Sequence, residues 1–259
     1  MKTKRLLSAS TKVIFGIMLA LTIGQSTIFG QSFVHPGILN NKSELDFIKD
    51  KVKKGEQPWK QAYDGLKASK YASLTYNANA SSSMDCGSYN KDKNGNTVPQ
   101  CKTFVEDGMA AYTHALLWFI TEDRRYANKS IEIMNEWAST YNKNEGSNAR
   151  LNVSWAAPWY CNAGEIIRHC NAGGGGGWSS ADITKFEGML AKFLPYVKDE
   201  TMPGNNWIQS AIEAHFAMAV FTSNRAEFNS AVSRWKTRVK TYIYRSEEHT
   251  SELQSPRLI

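Results

Sequence analysis

The side chains best suited to chemistry gather behind a Pro203-Gly204 turn, where Asn205, Asn206, Gln209, Glu213 and His215 follow in close succession. Asparagine and glutamine amides grip carboxylates and hydroxyls, while glutamate and histidine move protons. At about 100° per residue, Gln209, Ser210 and Glu213 fall on the Asn206 side of a helix, and His215 falls nearly opposite. Quieter roles compete with each. Asparagine at this point is also an ordinary helix cap, Glu213 can brace Asn206, and His215 suits a hydrogen-bonded core histidine.

Other candidates lie upstream. Trp155, Trp159 and Tyr160 offer ring faces for stacking sugars or for core packing. Arg168 can bind a carboxylate or pair with Glu165. His35, His114 and His169 have no partner recognisable from spacing. The glycine run 173–177 precedes no Lys-Ser or Lys-Thr pair, which excludes a P-loop and leaves a connector. There is no CxxC pair to favour zinc, and no metal or cofactor is expected.

Helices must position these groups. Residues 208–221 are apolar on nearly every side, the mark of a helix buried among others. Ser43 with Asp46 three residues on predicts a helix start, with Leu45, Ile48 and Val52 at helical spacing, and a second helix covers 58–68. Residues 75–103 lose periodicity and read as a long loop. Helices over 105–121 and 126–141, joined at Glu122-Asp123, predict a helical hairpin. Another helix opens near Ser154. One over 183–194, capped by Ser180 or Asp182, stops at Pro195, and one over 226–242 follows. Strand-like alternation is nearly absent. The fold class is therefore all-α, built from sequential antiparallel pairs.

Residues 1–30 read as a signal peptide: Lys2, Lys4, Arg5 and Lys12 precede a short apolar run at 13–23. That run is too interrupted for a stable membrane span, so a periplasmic or secreted location is expected. Removing the leader takes four basic residues from a formal charge of +7 and leaves +3. This modest excess tolerates an acidic substrate and does not argue for nucleic acid. Cys86, Cys101, Cys161 and Cys170 suit an oxidising compartment, and of three possible connectivities the local pairs Cys86–Cys101 and Cys161–Cys170 are preferred. Oligomeric state stays open.

Past Tyr244 the pattern changes. Residues 245–255 carry no packing periodicity and resemble the translation of a short-read sequencing adapter, so 245–259 is expected to be a non-native tail. Segments 33–39, 107–137, 155–168 and 205–235, in this order and spacing, resemble the alginate lyase family. No single motif is decisive.

The resemblance implies a secreted polysaccharide lyase on an (α/α) toroid of helical hairpins over residues 31–244, incomplete at its carboxyl end. It implies β-elimination of an acidic, uronate-containing polysaccharide such as alginate, with an Asn-His pair opening an inner helix. Here the asparagine falls on Asn206, as the catalytic candidate, and the histidine position holds Trp207, which cannot take a proton. Asn205, Trp155, Trp159, Tyr160, Arg168 and Glu213 are the substrate-binding candidates. The family's tyrosine base would lie beyond Tyr244, so the chain is expected to be inactive and, with open apolar helix faces, poorly stable. A glycoside hydrolase pairing Glu213 with Asp107 and a non-catalytic carbohydrate-binding protein are the alternatives.

Overall fold

The computed structural model describes residues 32–170, 175–204 and 206–253, with no side chains described from 240 onward. The expected signal peptide, Asn205 and residues 254–259 fall outside these. The unit described below begins at Val34. Among the described residues there are eight α-helices and two short strands, an all-α fold.

Helix α1 spans Lys42–Lys53 and is capped by Asn41, two residues ahead of the expected Ser43. Asn41 Oδ1 accepts from Glu44 N at 3.0 Å, and Glu44 Oε2 accepts from Asn41 N at 2.9 Å. This reciprocal box satisfies backbone donors that Ser43 and Asp46 would have left open. Asp46 instead pairs with Lys42 at 2.6 Å. Helix α2 follows at Trp59–Ala68.

The segment after α2 is loop for most of the expected 75–103, broken by a short strand at Ser83–Asp85 and ended by a helix from Pro99, and it is anchored. Asp107, fully buried, accepts from Tyr76 Oη at 2.6 Å, Asn79 N at 2.9 Å and Trp137 Nε1 at 2.7 Å. Three donors offset what it costs to bury the carboxylate. Strand β1, Ser83–Asp85, pairs in parallel with β2, Lys143–Glu145, with Met84 opposite Asn144.

Helix α3, Pro99–Thr121, starts six residues before the expected 105, because Pro99 in its first turn needs no hydrogen-bonded N–H. Glu122 turns left-handed at φ 63°, Asp123 caps the next helix, and α4 runs Arg124–Thr140. This is the expected hairpin. Helix α5, Ala149–His169, begins five residues before Ser154 and contains Pro158. Helix α6, Ser180–Val197, is capped by Ser179, and Pro195 lies inside it rather than ending it. Helix α7 spans Asn206–Phe221, and α8, Arg225–Leu253, runs past the expected end at 242.

Helices α3, α5 and α7 pack side by side. Helix α4 lies against α3 and α6, α6 lies against α5, and α8 covers α7. Each of the three sequential pairs from α3 to α8 thus sends one helix to an inner row and the next to an outer one. Phe104 sits at one centre of the core, with ring centroids 4.7 Å from Trp137, 5.6 Å from Tyr141 and 5.5 Å from Phe193. Phe186 holds a second centre, 5.1 Å from both Trp178 and Phe221. Gly164 lets α5 approach α7 closely: a Cβ there would lie 2.6 Å from the Phe221 ring.

The cysteines require one correction. Cys86 and Cys101 form a disulfide, with Cα atoms 5.7 Å apart. Cys161 and Cys170 are free and buried. Both lie along α5 or its cap, and nine positions at about 1.5 Å each separate them by roughly 13 Å, far beyond disulfide reach. Burial raises both thiol pKa values, that of Cys170 to about 12, which leaves them unreactive.

Candidate substrate cleft

A cleft of about 900 Å³ opens where α5, α7, α8 and the extended lead-in meet. Gly37, Ile38 and Leu39 form one edge, Trp155, Pro158 and Trp159 come from α5, and Ile212, Phe216 and Val220 come from α7. Phe228 and Trp235 of α8 close the far side. Helical spacing explains the lining: positions 155, 158, 159 and 162 form one stripe of α5, and 209, 212, 213, 216, 217 and 220 form one stripe of α7.

Polar groups punctuate these aromatic walls. Asn162 is already engaged: its Oδ1 accepts from Leu39 N at 3.0 Å, and its Nδ2 donates to Pro158 O at 2.8 Å. It therefore fixes the lead-in edge to α5. Glu213 is exposed and lines the cleft. Gln209, one turn earlier, has an enclosed amide nitrogen with no hydrogen-bond partner. Such an orphan typically costs about 1–3 kcal/mol.

The sequence candidates divide against this geometry. Trp155 and Trp159 line the cleft, and Trp155 keeps 47% of its surface exposed, which leaves a face for a ligand. Tyr160 does not line it. It is fully buried, donates to Phe104 O at 3.0 Å and belongs to the core, because the next residue along a helix points about 100° away. Arg168 also lies outside the lining: its guanidinium pairs with Glu187 at 3.1 Å, not with Glu165, and sits over the Phe221 ring at 5.4 Å. Asn206 is exposed at the first position of α7, one turn before Gln209, and its carbonyl accepts from Ser210 Oγ at 3.1 Å. Asn205 lies outside the described residues. His215 is a core histidine as expected, bonded through Nε2 to Glu227 at 2.7 Å. Burial lowers its pKa against that carboxylate.

Asp107 cannot partner Glu213 as a second hydrolytic carboxyl, since it is buried and saturated with donors away from the cleft. Sequence reasoning missed Phe216, Phe228 and Trp235 as cleft residues. Helical periodicity flags them as apolar, and only the docking of α8 on α7 turns them towards one space.

It also missed the partners of His35. Glu165, 1% exposed, accepts from His35 Nδ1 at 2.9 Å and from Gly37 N at 3.0 Å, pinning the lead-in to α5 beside the cleft. Burial raises the Glu165 pKa, and these donors oppose the rise. His169 stacks on His35 with centroids 4.3 Å apart and planes 15° off parallel. Burial, with His35 beside it, holds its pKa down at about 4. Ligand atoms of His35, Glu165 and His169 lie within 4.8 Å of one another, a donor set that suits a divalent metal. The stacking opposes that use. An imidazole lone pair lies in its ring plane, so two face-to-face rings do not converge on one ion. The cluster's role is to hold the lead-in.

A family model for alginate lyase matches residues 48–244, three quarters of the chain. The chain belongs to the alginate lyase family. No curated protein and no solved structure matches it. As a member of that family it is a polysaccharide lyase in general terms, and an aromatic cleft bordered by amide and carboxylate groups is a fitting sugar site. Among the described lining residues of this alginate lyase family member there is no tyrosine, histidine, lysine or arginine. The cleft therefore offers binding surfaces and hydrogen-bonding groups, and Glu213 is its one ionisable side chain among the described residues.

Proposed function

We propose that the protein breaks a uronate-containing polysaccharide by β-elimination, with the cleft holding the chain and Asn206 meeting the reacting carboxylate. The observation that carries this is the cleft itself: Trp155, Trp159 and Trp235 line it together with Gln209 and Glu213, which follow Asn206 by about one and two turns of α7. Elimination removes a proton beside a carboxylate, and charge builds on that carboxylate as the proton leaves. Amide donors near it stabilise the charge. A helix N-terminus adds a field of the right sign, since its free N–H groups carry partial positive charge. The inner and outer rows of hairpins support the toroid reading. The Cys86–Cys101 bond supports an exported protein working in an oxidising compartment.

No tyrosine or histidine stands in the described lining to take the proton, so the chain is expected to bind the polymer and to turn it over only if Glu213 serves as the base. The test follows the protein with alginate and other uronate polymers by ultraviolet-edge absorbance, reducing ends and binding. Absorbance rising with reducing ends identifies elimination and supports the reading, while locating the base in Glu213 or beyond the described wall. Reducing ends without absorbance identify hydrolysis and overturn it. Failure to bind any such polymer removes the cleft as the substrate site.

A further inference from the structure

Resting on the reading of the cleft as a sugar site, we propose that it recognises a neutral sugar through its hydroxyls and that Glu213 rejects a uronate carboxylate there. The substrate is then a heteropolysaccharide in which neutral sugars flank the uronate, rather than a uronate homopolymer.

Charge is the first ground. Among the described lining residues Glu213 is the one charged side chain, it is acidic, and no cation stands beside it in the lining to neutralise a bound carboxylate. A uronate held against Glu213 would set two like charges together, and such juxtaposition is a recognised source of discrimination.

Hydrogen-bond chemistry is the second. Gln209 and Glu213 lie four residues apart on one face of α7, so their side chains are neighbours. The Gln209 amide nitrogen is enclosed and lacks an acceptor within the protein. Gln209 lines the cleft, so turning its side chain outward lets that nitrogen donate to a bound ligand. Together they form a donor beside an acceptor. A sugar hydroxyl accepts from Gln209 and donates to Glu213, and a neighbouring hydroxyl donates to the second carboxylate oxygen. A deprotonated uronate carboxylate can accept from Gln209 but has no proton to give Glu213.

The aromatic walls are the third. Trp155, Trp159, Trp235 and Phe216 meet the C–H face of a pyranose, which is the same in a hexose and its uronate. Stacking therefore holds either sugar, and the choice between them falls to the α7 pair.

The test titrates the 259-residue chain with β-1,4-linked manno-oligosaccharides and with mannuronate oligosaccharides of equal length, which differ only at C6. At low salt the neutral series is expected to bind about tenfold tighter, with the gap narrowing as salt screens Glu213. Glu213→Gln should bring the two series within about threefold of each other, because the amide keeps the shape and loses the charge. Glu213 is exposed, so this variant retains the fold, which far-ultraviolet circular dichroism checks. Gln209→Leu should weaken the neutral series. Equal or tighter uronate binding by the unaltered chain overturns the proposal, as does a gap that Glu213→Gln leaves unchanged, or no binding of either series. Elimination is read separately from the unsaturated product, so either reading can fail while the other stands.

Discussion

On the proposed reading of the cleft, Trp155 would serve a ligand more than it serves the fold. Nearly half its surface is open, yet it stands on the same stripe of α5 as the half-buried Trp159. An indole kept in water at a cleft mouth gains most when a ligand covers it. Trp155→Ala is expected to weaken oligosaccharide binding about tenfold, the loss typical of an anchoring aromatic. Unfolding free energy should change by no more than about 0.5 kcal/mol, as for other exposed sites. Titration calorimetry and urea unfolding on the same sample separate the two. A drop in stability without a drop in affinity would return Trp155 to a packing role.

At the scale of elements, two devices hold the inner row in register. Gly164 is the contact point of α5 on α7, and Phe221 fills the space a side chain would occupy. Gly164→Ala must move a buried ring, so a loss of about 1–3 kcal/mol is expected despite alanine's better helix propensity. Urea unfolding measures it. The second device is the Cys86–Cys101 bond, which ties the loop after α2 to the first turn of α3 across 15 residues. Closing a loop of that length restricts the unfolded chain by about 3 kcal/mol in the chain-entropy view. The double variant Cys86→Ser/Cys101→Ser should lose that amount. Alkylation of the unreduced, unfolded protein should label two thiols, Cys161 and Cys170, and four labelled thiols would contradict the bond. Asn152 Nδ2 also donates to Cys101 O, at 2.6 Å, so the disulfide is not the one tie at this corner.

For the molecule as a whole, buried His114 and half-buried His169 shape how it meets acid. Burial first, and the Lys129 ammonium second, hold His114 at about 4 against an ordinary 6.5. His169 is held at about 4 by burial. Below pH 6.5 the unfolded chain takes up these protons while the folded chain does not until about pH 4, so stability falls across that window as pH drops. Glu165 and Asp107 act in the opposite sense. Burial raises both, so the folded chain gains their protons first and part of the loss is offset. His114→Leu should narrow the stability difference between pH 7.5 and pH 4 by about 3 kcal/mol. Urea unfolding at the two values reads this directly, and an unchanged difference would show that His114 does not carry it.

How much of this the sequence held follows from the range of the forces involved. Helices, the α3–α4 hairpin and the buried character of α7 come from periodicity and capping, which act over a few residues and can be read in one dimension. The stripe of Gln209 and Glu213 was legible for the same reason, as was His215 turning away. Boundaries moved where a local rule had a stronger neighbour: Asn41 outcompeted Ser43 as a cap, Pro99 extended α3, and Pro195 sat inside α6. Pairings across the chain were not legible. Glu165 meets His35, Arg168 meets Glu187, Tyr160 sinks into the core and Trp235 comes to the cleft because separate segments pack together in three dimensions. Cys161 and Cys170 looked like a local pair in the sequence, and the rise of one helix keeps them apart. By itself the sequence determined an all-α chain with a polar start to a buried helix. The tertiary structure decided which of its aromatic and polar side chains share one cleft, since burial and convergence depend on contacts that no local pattern encodes.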